Sequence, residues 1–210
     1  MKKITYIIGI DEAGRGPLAG PVAVGVACVP VDFDWDLIPG VGDSKKVKPE
    51  NREAIFRLAK LLKKQGILNF SVSLVSATVI DKIGISKAVA LGITRCLKKL
   101  NRNPDEVAVK LDGLLHAPVE YVHQETIIRG DAKEKVIGLA SICAKVTRDA
   151  FMIRIARDHP KYDFHIHKGY GTKAHCDALT KHGLSSIHRR SFTKRFIINE
   201  SKTRTSPTYF

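Results

Sequence analysis

Cysteine is scarce and badly spaced for its usual structural tasks. The four thiols, Cys28, Cys96, Cys143 and Cys176, include no Cys-x-x-Cys pair. That argues against a zinc site and a disulfide framework, and fits reduced thiols in a cytoplasmic protein. No apolar run approaches the roughly 20 residues needed to cross a bilayer, so no partner within a membrane is expected. Lys2-Lys3 and the short apolar run after them superficially resemble a signal peptide, but the run ends in Asp11-Glu12 where a cleavage site would need small residues. Repeats and low-complexity segments are missing too. Acid is the sparse charge: 21 Asp and Glu stand against 35 Lys and Arg, for a net +14. Such an excess calls for a polyanionic partner, nucleic acid or an acidic membrane surface. Residues 151–210 hold 12 Lys/Arg against 4 Asp/Glu and six of the eight His, which places the basic surface at the C-terminal end. Those six His are expected to be a solvated part of it.

At 210 residues the chain can build one large domain, or one domain with an appendage. Its organising stretch is residues 4–16. An apolar, β-branched run predicts a buried strand over 4–10, ending on Asp11 and Glu12 before Gly14-Arg15-Gly16. Carboxylates at the end of a core strand are costly to bury unless something pairs with them, and a hard divalent cation takes oxygen ligands. Gly14 and Gly16 let backbone approach a ligand closely, and Arg15 adds a cation suited to phosphate.

The rest of the chain alternates strands and helices. Residues 21–29 read as a strand packed on both faces, making a hairpin with the first. Residues 30–48 form a loop with the polar, basic Asp43-Ser44-Lys45-Lys46, placed to touch phosphate. Pro49 opens a helix with the apolar stripe Ile55, Leu58, Ala59, Leu62, stopped by Gly66. A third strand is expected over 67–75, helices over 76–84 and 86–100, a fourth strand over 107–112 and a fifth over 119–128. Val107, Val109 and Leu111 share one face, which puts Asp112 on the other, at the strand end. Asp131 sits in a Gly-Asp turn before a long, largely buried helix over about 137–158, on which Lys145 and Asp149 are spaced to pair. After Pro160 come the basic turn His167-Lys168-Gly169-Tyr170-Gly171-Thr172, a helix over 173–182 and the segment Ile187–Phe192.

Four acids thus stand out: Asp11, Glu12, Asp112 and Asp131. Gathered from distant parts of the chain, they offer an oxygen-rich pocket for one or two Mg²⁺ or Mn²⁺. Two such ions about 3.5–4 Å apart serve phosphodiester cleavage by activating a water and stabilising the leaving oxygen. With the basic surface, the pattern points to a metal-dependent nuclease.

The run Ile10–Val22, then Asp43–Lys46, Leu111-Asp112-Gly113, Gly130-Asp131, Ala140–Asp149, His167–Thr172 and His188–Phe192 together resemble the motifs of the type 2 ribonucleases H, specifically prokaryotic ribonuclease HII, in that family's order. The resemblance implies an α/β, RNase H-like fold: a central mixed five-stranded sheet flanked by helices. It further implies a catalytic core over 1–158, a basic helical appendage over 159–198 packed on it, and a disordered tail over 199–210. The implied activity is endonucleolytic hydrolysis of RNA in RNA–DNA hybrids and incision of duplex DNA at embedded single ribonucleotides, by a monomer. Carried over residue by residue, Asp11, Glu12, Asp112 and Asp131 would be catalytic and hold Mg²⁺ or Mn²⁺. Gly14-Arg15-Gly16 would sense the ribose 2′-OH, Ser44, Lys45 and Lys46 would contact substrate, and Tyr170 would stack on the sugar beyond the RNA–DNA junction.

Two departures from the family pattern bear on packing: the apolar Leu114-Leu115 after Asp112-Gly113, and Gly138-Leu139 where Ser or Ala is more usual. Ribonuclease HIII usually carries an extra N-terminal domain; this chain reaches its catalytic strand at residue 4, so that subtype is not expected. A transposase or resolvase on the same fold would share the acids but not Gly14-Arg15-Gly16 or the Tyr170 turn. A non-catalytic binding module would have no use for four acids that oppose a polyanion.

Overall fold

Strand β1 (Tyr6–Ala13) lies at the middle of a five-stranded sheet of order β3-β2-β1-β4-β5. The computed structural model describes residues 3–42 and 47–194. β2 (Val22–Pro30) and β3 (Asn69–Val75) complete an antiparallel meander with β1, while β4 (Val107–Asp112) and β5 (Gln124–Ile127) add on its other side in parallel. The expected mixed five-stranded α/β architecture is the one observed.

Helices cover both faces. On one, α2 (Ala77–Ile83) and α3 (Ile85–Leu100) bury Ile80, Ala88, Ile93 and Leu97 against Ile8, Ile10, Val24, Val26 and Leu111. On the other, α1 (Pro49–Lys64) and the long α5 (Lys135–Ile155) cover Ala27, Val29 and Phe70. α5 follows the single-turn helix α4 (Gly130–Lys133) and is apolar nearly all round in its first half, as a helix enclosed on every side must be. The chain then makes α6 (Phe164–His167) and α7 (Lys173–His182), where Tyr162, Phe164 and Leu179 pack with Ala19 and Met152 in a third apolar cluster.

One glycine sets how closely α5 approaches the sheet. A Cβ on Gly25 would sit 2.1 Å from the Ala140 carbonyl oxygen, which is rigid helix backbone. Because Gly25 is the β2 partner of Asp11, the same close approach lowers Ser141 and Lys145 of α5 towards the first acid. Gly25→Ala is expected to cost about 3 kcal/mol by overpacking, read from urea unfolding. An unchanged midpoint would mean that α5 slides at no cost.

Three sequence expectations are corrected. β1 does not end at the acids: pairing with β2 continues through Asp11, Glu12 and Ala13, because Gly25, Val24 and Ala23 extend the ladder beside them. The strand expected over 119–128 is only Gln124–Ile127. Pro118 begins a turn closed by the Tyr121 N–H, and the Gln124 side chain bonds Ala117 and Tyr121, while Val119 and Val122 stay in solvent. The C-terminal His are not all solvated: His167, His175 and His188 are buried among Tyr162 and Phe164. The tail from 199 and the Asp43–Lys46 segment lie outside the described residues.

The two departures have packing reasons. Leu115 enters the α3 core while Leu114 is exposed. A Cβ on Gly138 would lie 2.9 Å from the Gly42 carbonyl oxygen and 3.0 Å from that of Asp131, so glycine lets the start of α5 close on both segments.

Candidate active site

Register brings the first two acids together. The last paired residues of the parallel β1–β4 ladder are Ile10 and Leu111, both turned into the α3 core. The next residue on each strand is an aspartate, and alternation turns both carboxylates to the opposite face, beneath α5. There Asp11, Glu12 and Asp112 line a cleft of about 300 Å³ with Gly14, Arg15, Gly16, Arg52, Ser141, Lys145 and Tyr170. Asp131 does not line that cleft; it is buried at the start of α4, beside the Gly130 N–H that donates to Asp112 Oδ1 at 2.7 Å. Thus three of the four expected acids, the Gly14-Arg15-Gly16 segment and Tyr170 converge on one cleft, from elements as far apart as β1 and the α6–α7 turn.

The electrostatics are those of crowded carboxylates. Burial pushes the Asp11 carboxyl up to about 8, with the charges of Glu12 and Asp112 adding to the shift and bonds from Ser141 and the Glu12 N–H opposing it. The Glu12 N–H donates to Asp11 Oδ1 at 2.7 Å. Burial also raises Glu12, and Arg15 opposes that from 3.3 Å, its other guanidinium nitrogen reaching Ser86. Arg15 therefore covers Glu12 here. On the far wall Lys145 pairs with Asp149 at 3.0 Å, as their spacing predicts.

The donors are carboxylate oxygens, which suit Mg²⁺ or Mn²⁺ and not a softer metal. Among the described residues no three His, Cys, Asp or Glu side chains form a ready cage for an ion. A cation held by one or two carboxylates, with its remaining positions left to water and substrate phosphate, needs no such cage. In that sense the residues fit the group.

The loop from Gly14 to Pro21 is held from beneath by two fully buried arginines. Arg189 donates to the carbonyls of Gly14 (2.7 Å), Arg15 (2.8 Å) and Gly20 (2.9 Å). Arg148 of α5 donates to those of Pro21 (2.9 Å), Lys168 (3.0 Å) and Ala19 (3.2 Å). Gly14 adopts φ +84° with its Cα against the Arg148 guanidinium, where a Cβ would meet Nε at 1.9 Å. Burial, then the charge of Arg148, pulls Arg189 down to about 9, so it stays charged at neutral pH. Arg148 also ties this loop to the turn presenting Tyr170, where Lys168 and Gly169 are both left-handed (φ +51° and +84°). The Gly169 carbonyl receives the N–H groups of Leu18 and Ala19.

In sequence Arg148 reads as a structural pair with its neighbour Asp149, and Arg189 and Ser141 have no role; in the fold Asp149 pairs with Lys145 while Arg148 supports the site through carbonyls. Arg189 and Ser141 do fall within recognised motifs, and that was the available signal. A guanidinium satisfied by carbonyls leaves no charge partner in the sequence by which to find it.

His188 and His175 form a buried pair, Nε2 to Nε2 at 3.0 Å. Burial drives each down to about 4, with His167 adding to the shift of His175 and His175 to that of His188. A free imidazole accepts a proton near 6.5. Between those values the unfolded chain binds more protons than the folded one, so stability is complete above pH 6.5 and falls as pH drops towards 4. The expected loss by pH 5 is about 2 kcal/mol per ring, measurable by urea unfolding at pH 7.5, 6 and 5. A flat profile would show that the rings titrate freely in the fold.

The family model described as Ribonuclease HII matches residues 8–195. A protein named Ribonuclease HII from Endomicrobium trichonymphae is 43% identical over 197 residues, 93% of this chain and 90% of that one. Another of the same name, from Caldicellulosiruptor bescii, is 43% identical over 192 residues, 91% of this chain and 88% of the other. Among solved structures, the ribonuclease H2 from Pyrococcus horikoshii OT3 superimposes with a TM-score of 0.70 at 24% identity, covering 96% of this chain and all of that one. Bst-RNase HIII in complex with Mn²⁺ superimposes with a TM-score of 0.72 at 15% identity, covering 96% of this chain and 72% of that one. Both show a common fold.

Proposed function

The chain belongs to the ribonuclease HII family and is a ribonuclease H acting on RNA–DNA hybrids; on that footing we propose that it also incises duplex DNA at single embedded ribonucleotides, with Asp11, Glu12, Asp112 and Asp131 as its metal-binding acids. The observation that carries the reading is the cleft itself, where Asp11, Glu12 and Asp112, the glycine loop and Tyr170 face one space; Asp131 is proposed on sequence grounds.

Divalent cations held there would supply an activated water and charge neutralisation at the leaving oxygen. The protein's own part is positioning. Asp11 and Asp112 present oxygens from adjacent parallel strands, and Ser141 orients Asp11 from α5. The 2′-OH distinguishes ribose from deoxyribose and can both donate and accept a hydrogen bond. Backbone at Gly14-Arg15-Gly16 lines the cleft, with no Cβ at Gly16 to obstruct it, and Arg189 sets its orientation by taking two of its carbonyls. Tyr170 lines the same cleft and is 43% exposed, which supports its lying against the sugar across the junction. Outside the cleft, a groove of about 660 Å³ between α1 and α5 carries Arg57, Lys60 and Arg154, cations available to phosphates beyond the scissile one. Ser44, Lys45 and Lys46 remain proposed substrate contacts on sequence grounds.

The test is a duplex DNA carrying one ribonucleotide against a long RNA–DNA hybrid, each with Mg²⁺ or Mn²⁺. Incision at the lone ribonucleotide is expected, and its absence would restrict the enzyme to hybrids. Tyr170→Ala is expected to lower kcat/KM on the lone ribonucleotide about fivefold to tenfold more than on the hybrid, the scale of one lost stacking contact. Equal losses would reduce Tyr170 to a general binding residue.

A further inference from the structure

The buried histidines behind Tyr170 have a defined direction. The Ser185 N–H and the Ser185 hydroxyl both lie 2.8 Å from His188 Nδ1; because a backbone N–H can only donate, that nitrogen carries no proton, the hydroxyl donates to it as well, and the proton of His188 is on Nε2. That N–H faces His175 Nε2 at 3.0 Å, which must then be the acceptor. The proton of His175 is therefore on Nδ1, 2.8 Å from the Tyr170 carbonyl oxygen. His167 is fixed in the same way: Gly169 N–H donates to its Nδ1 at 3.1 Å, leaving Nε2–H for the Tyr162 carbonyl. Its ring stacks on His175 with centroids 4.4 Å apart. The Tyr170 N–H in turn donates to the His167 carbonyl at 2.9 Å.

We propose that His175 and His188 are positioning residues for Tyr170, holding the backbone of its turn, and so the ring above the cleft, through a one-way chain of hydrogen bonds running from Ser185 to the Tyr170 carbonyl. This rests on the reading of Tyr170 as the junction-sensing residue. Only neutral rings complete the chain, because a proton on His175 Nε2 would set two N–H donors against each other at 3.0 Å. The titratable groups around the pair are His167 and Asp163 on the α6 side, with His159 and His182 flanking Tyr162 and Phe164. The same chain joins the His188–Phe192 segment to the Tyr170 turn. Arg190 and Ser191 of that segment are anchored to Asp81 of α2.

Two measurements decide it. In the wild-type protein at pH 7.5, ¹⁵N-resolved NMR of the imidazoles should find His188 protonated on Nε2 and His175 on Nδ1; His175 protonated on Nε2 overturns the chain. In kinetics, the readout is kcat/KM on the lone-ribonucleotide duplex divided by that on a long hybrid. His175→Phe keeps a ring but donates nothing, and should lower this ratio about fivefold, the scale of one lost hydrogen bond. His175→Asn, which places an amide N–H near the Nδ1 position, should recover most of it. H175F combined with Y170A should lower the ratio no further than Y170A alone. A folded His175→Phe that slows both substrates equally overturns the proposal and leaves the histidines as scaffold. If Tyr170→Ala itself leaves the ratio unchanged, the reading of Tyr170 falls first, and the positioning role with it. Should His175→Phe fail to fold, the wild-type tautomers and His175→Asn still decide.

Discussion

Asp11→Asn is expected to cut cleavage of an RNA–DNA hybrid about a thousandfold or more, the scale on which a lost charge-stabilising contact acts, while leaving hybrid binding nearly intact. The same substitution should raise the Tm of the metal-free protein. Asp11 is only 6% exposed and faces Glu12 and Asp112, so its carboxylate is desolvated and surrounded by like charge. Keeping such a group neutral at pH 7 costs on the order of 4 kcal/mol relative to a free aspartate. Asparagine removes that cost and can still accept the Glu12 N–H. Loss of activity joined to a gain of stability separates a functional carboxylate from a structural one, because a structural carboxylate would lose both. Mn²⁺ should raise the Tm of the wild type and do so less for Asp11→Asn. Near-wild-type turnover in the variant would remove Asp11 from the site.

Arg189 has the second-largest expected effect, and of a different kind. Arg189→Met should destabilise the protein by about 3–5 kcal/mol, as does removal of one side of a buried, hydrogen-bonded charge. It strands the carbonyls of Gly14, Arg15 and Gly20, which the guanidinium now satisfies in one rigid fork. Arg189→Lys should rescue little, since an ammonium on a flexible stem cannot reach three carbonyls in that fixed geometry. Both variants should lose activity on hybrid and on lone ribonucleotide alike, because the whole Gly14-Arg15-Gly16 segment loses its support. Urea unfolding and kinetics on the two substrates check this. A lysine variant of wild-type stability and activity would mean that charge alone suffices at 189.

Much of the fold was legible in sequence where a local rule and the tertiary outcome agree. β4 runs Val107–Asp112 and α7 runs Lys173–His182, as periodicity and stop signals predict. α1 starts at Pro49 and α3 ends at Leu100 for the same reasons. β5 was overextended because Val119 and Val122 carry strand propensity, yet no neighbouring strand takes them. Propensity is local, whereas a strand needs a partner.

The site divides along the same line. Sequence alone singled out the candidate side chains for the chemistry: the acids, Gly14-Arg15-Gly16 and Tyr170 stand out by residue type, strand alternation and family resemblance. Alternation even placed Asp112 opposite Val109 and Leu111. Tertiary structure decided how those groups are held and which share a space. The β1–β4 register sets Asp11 beside Asp112, Gly25 admits α5 and Ser141, and Asp131 is buried at the start of α4, outside the cleft lining. Arg148 and Arg189 support the glycine loop from 127 and up to 175 residues away in the chain. The basic C-terminal segment showed the limit most clearly, because three of its histidines are buried and neutral. Charge and composition are sums over residues and can be read along a chain. Burial, protonation and hydrogen-bond direction depend on what lies within a few ångströms, and only the folded chain sets those distances.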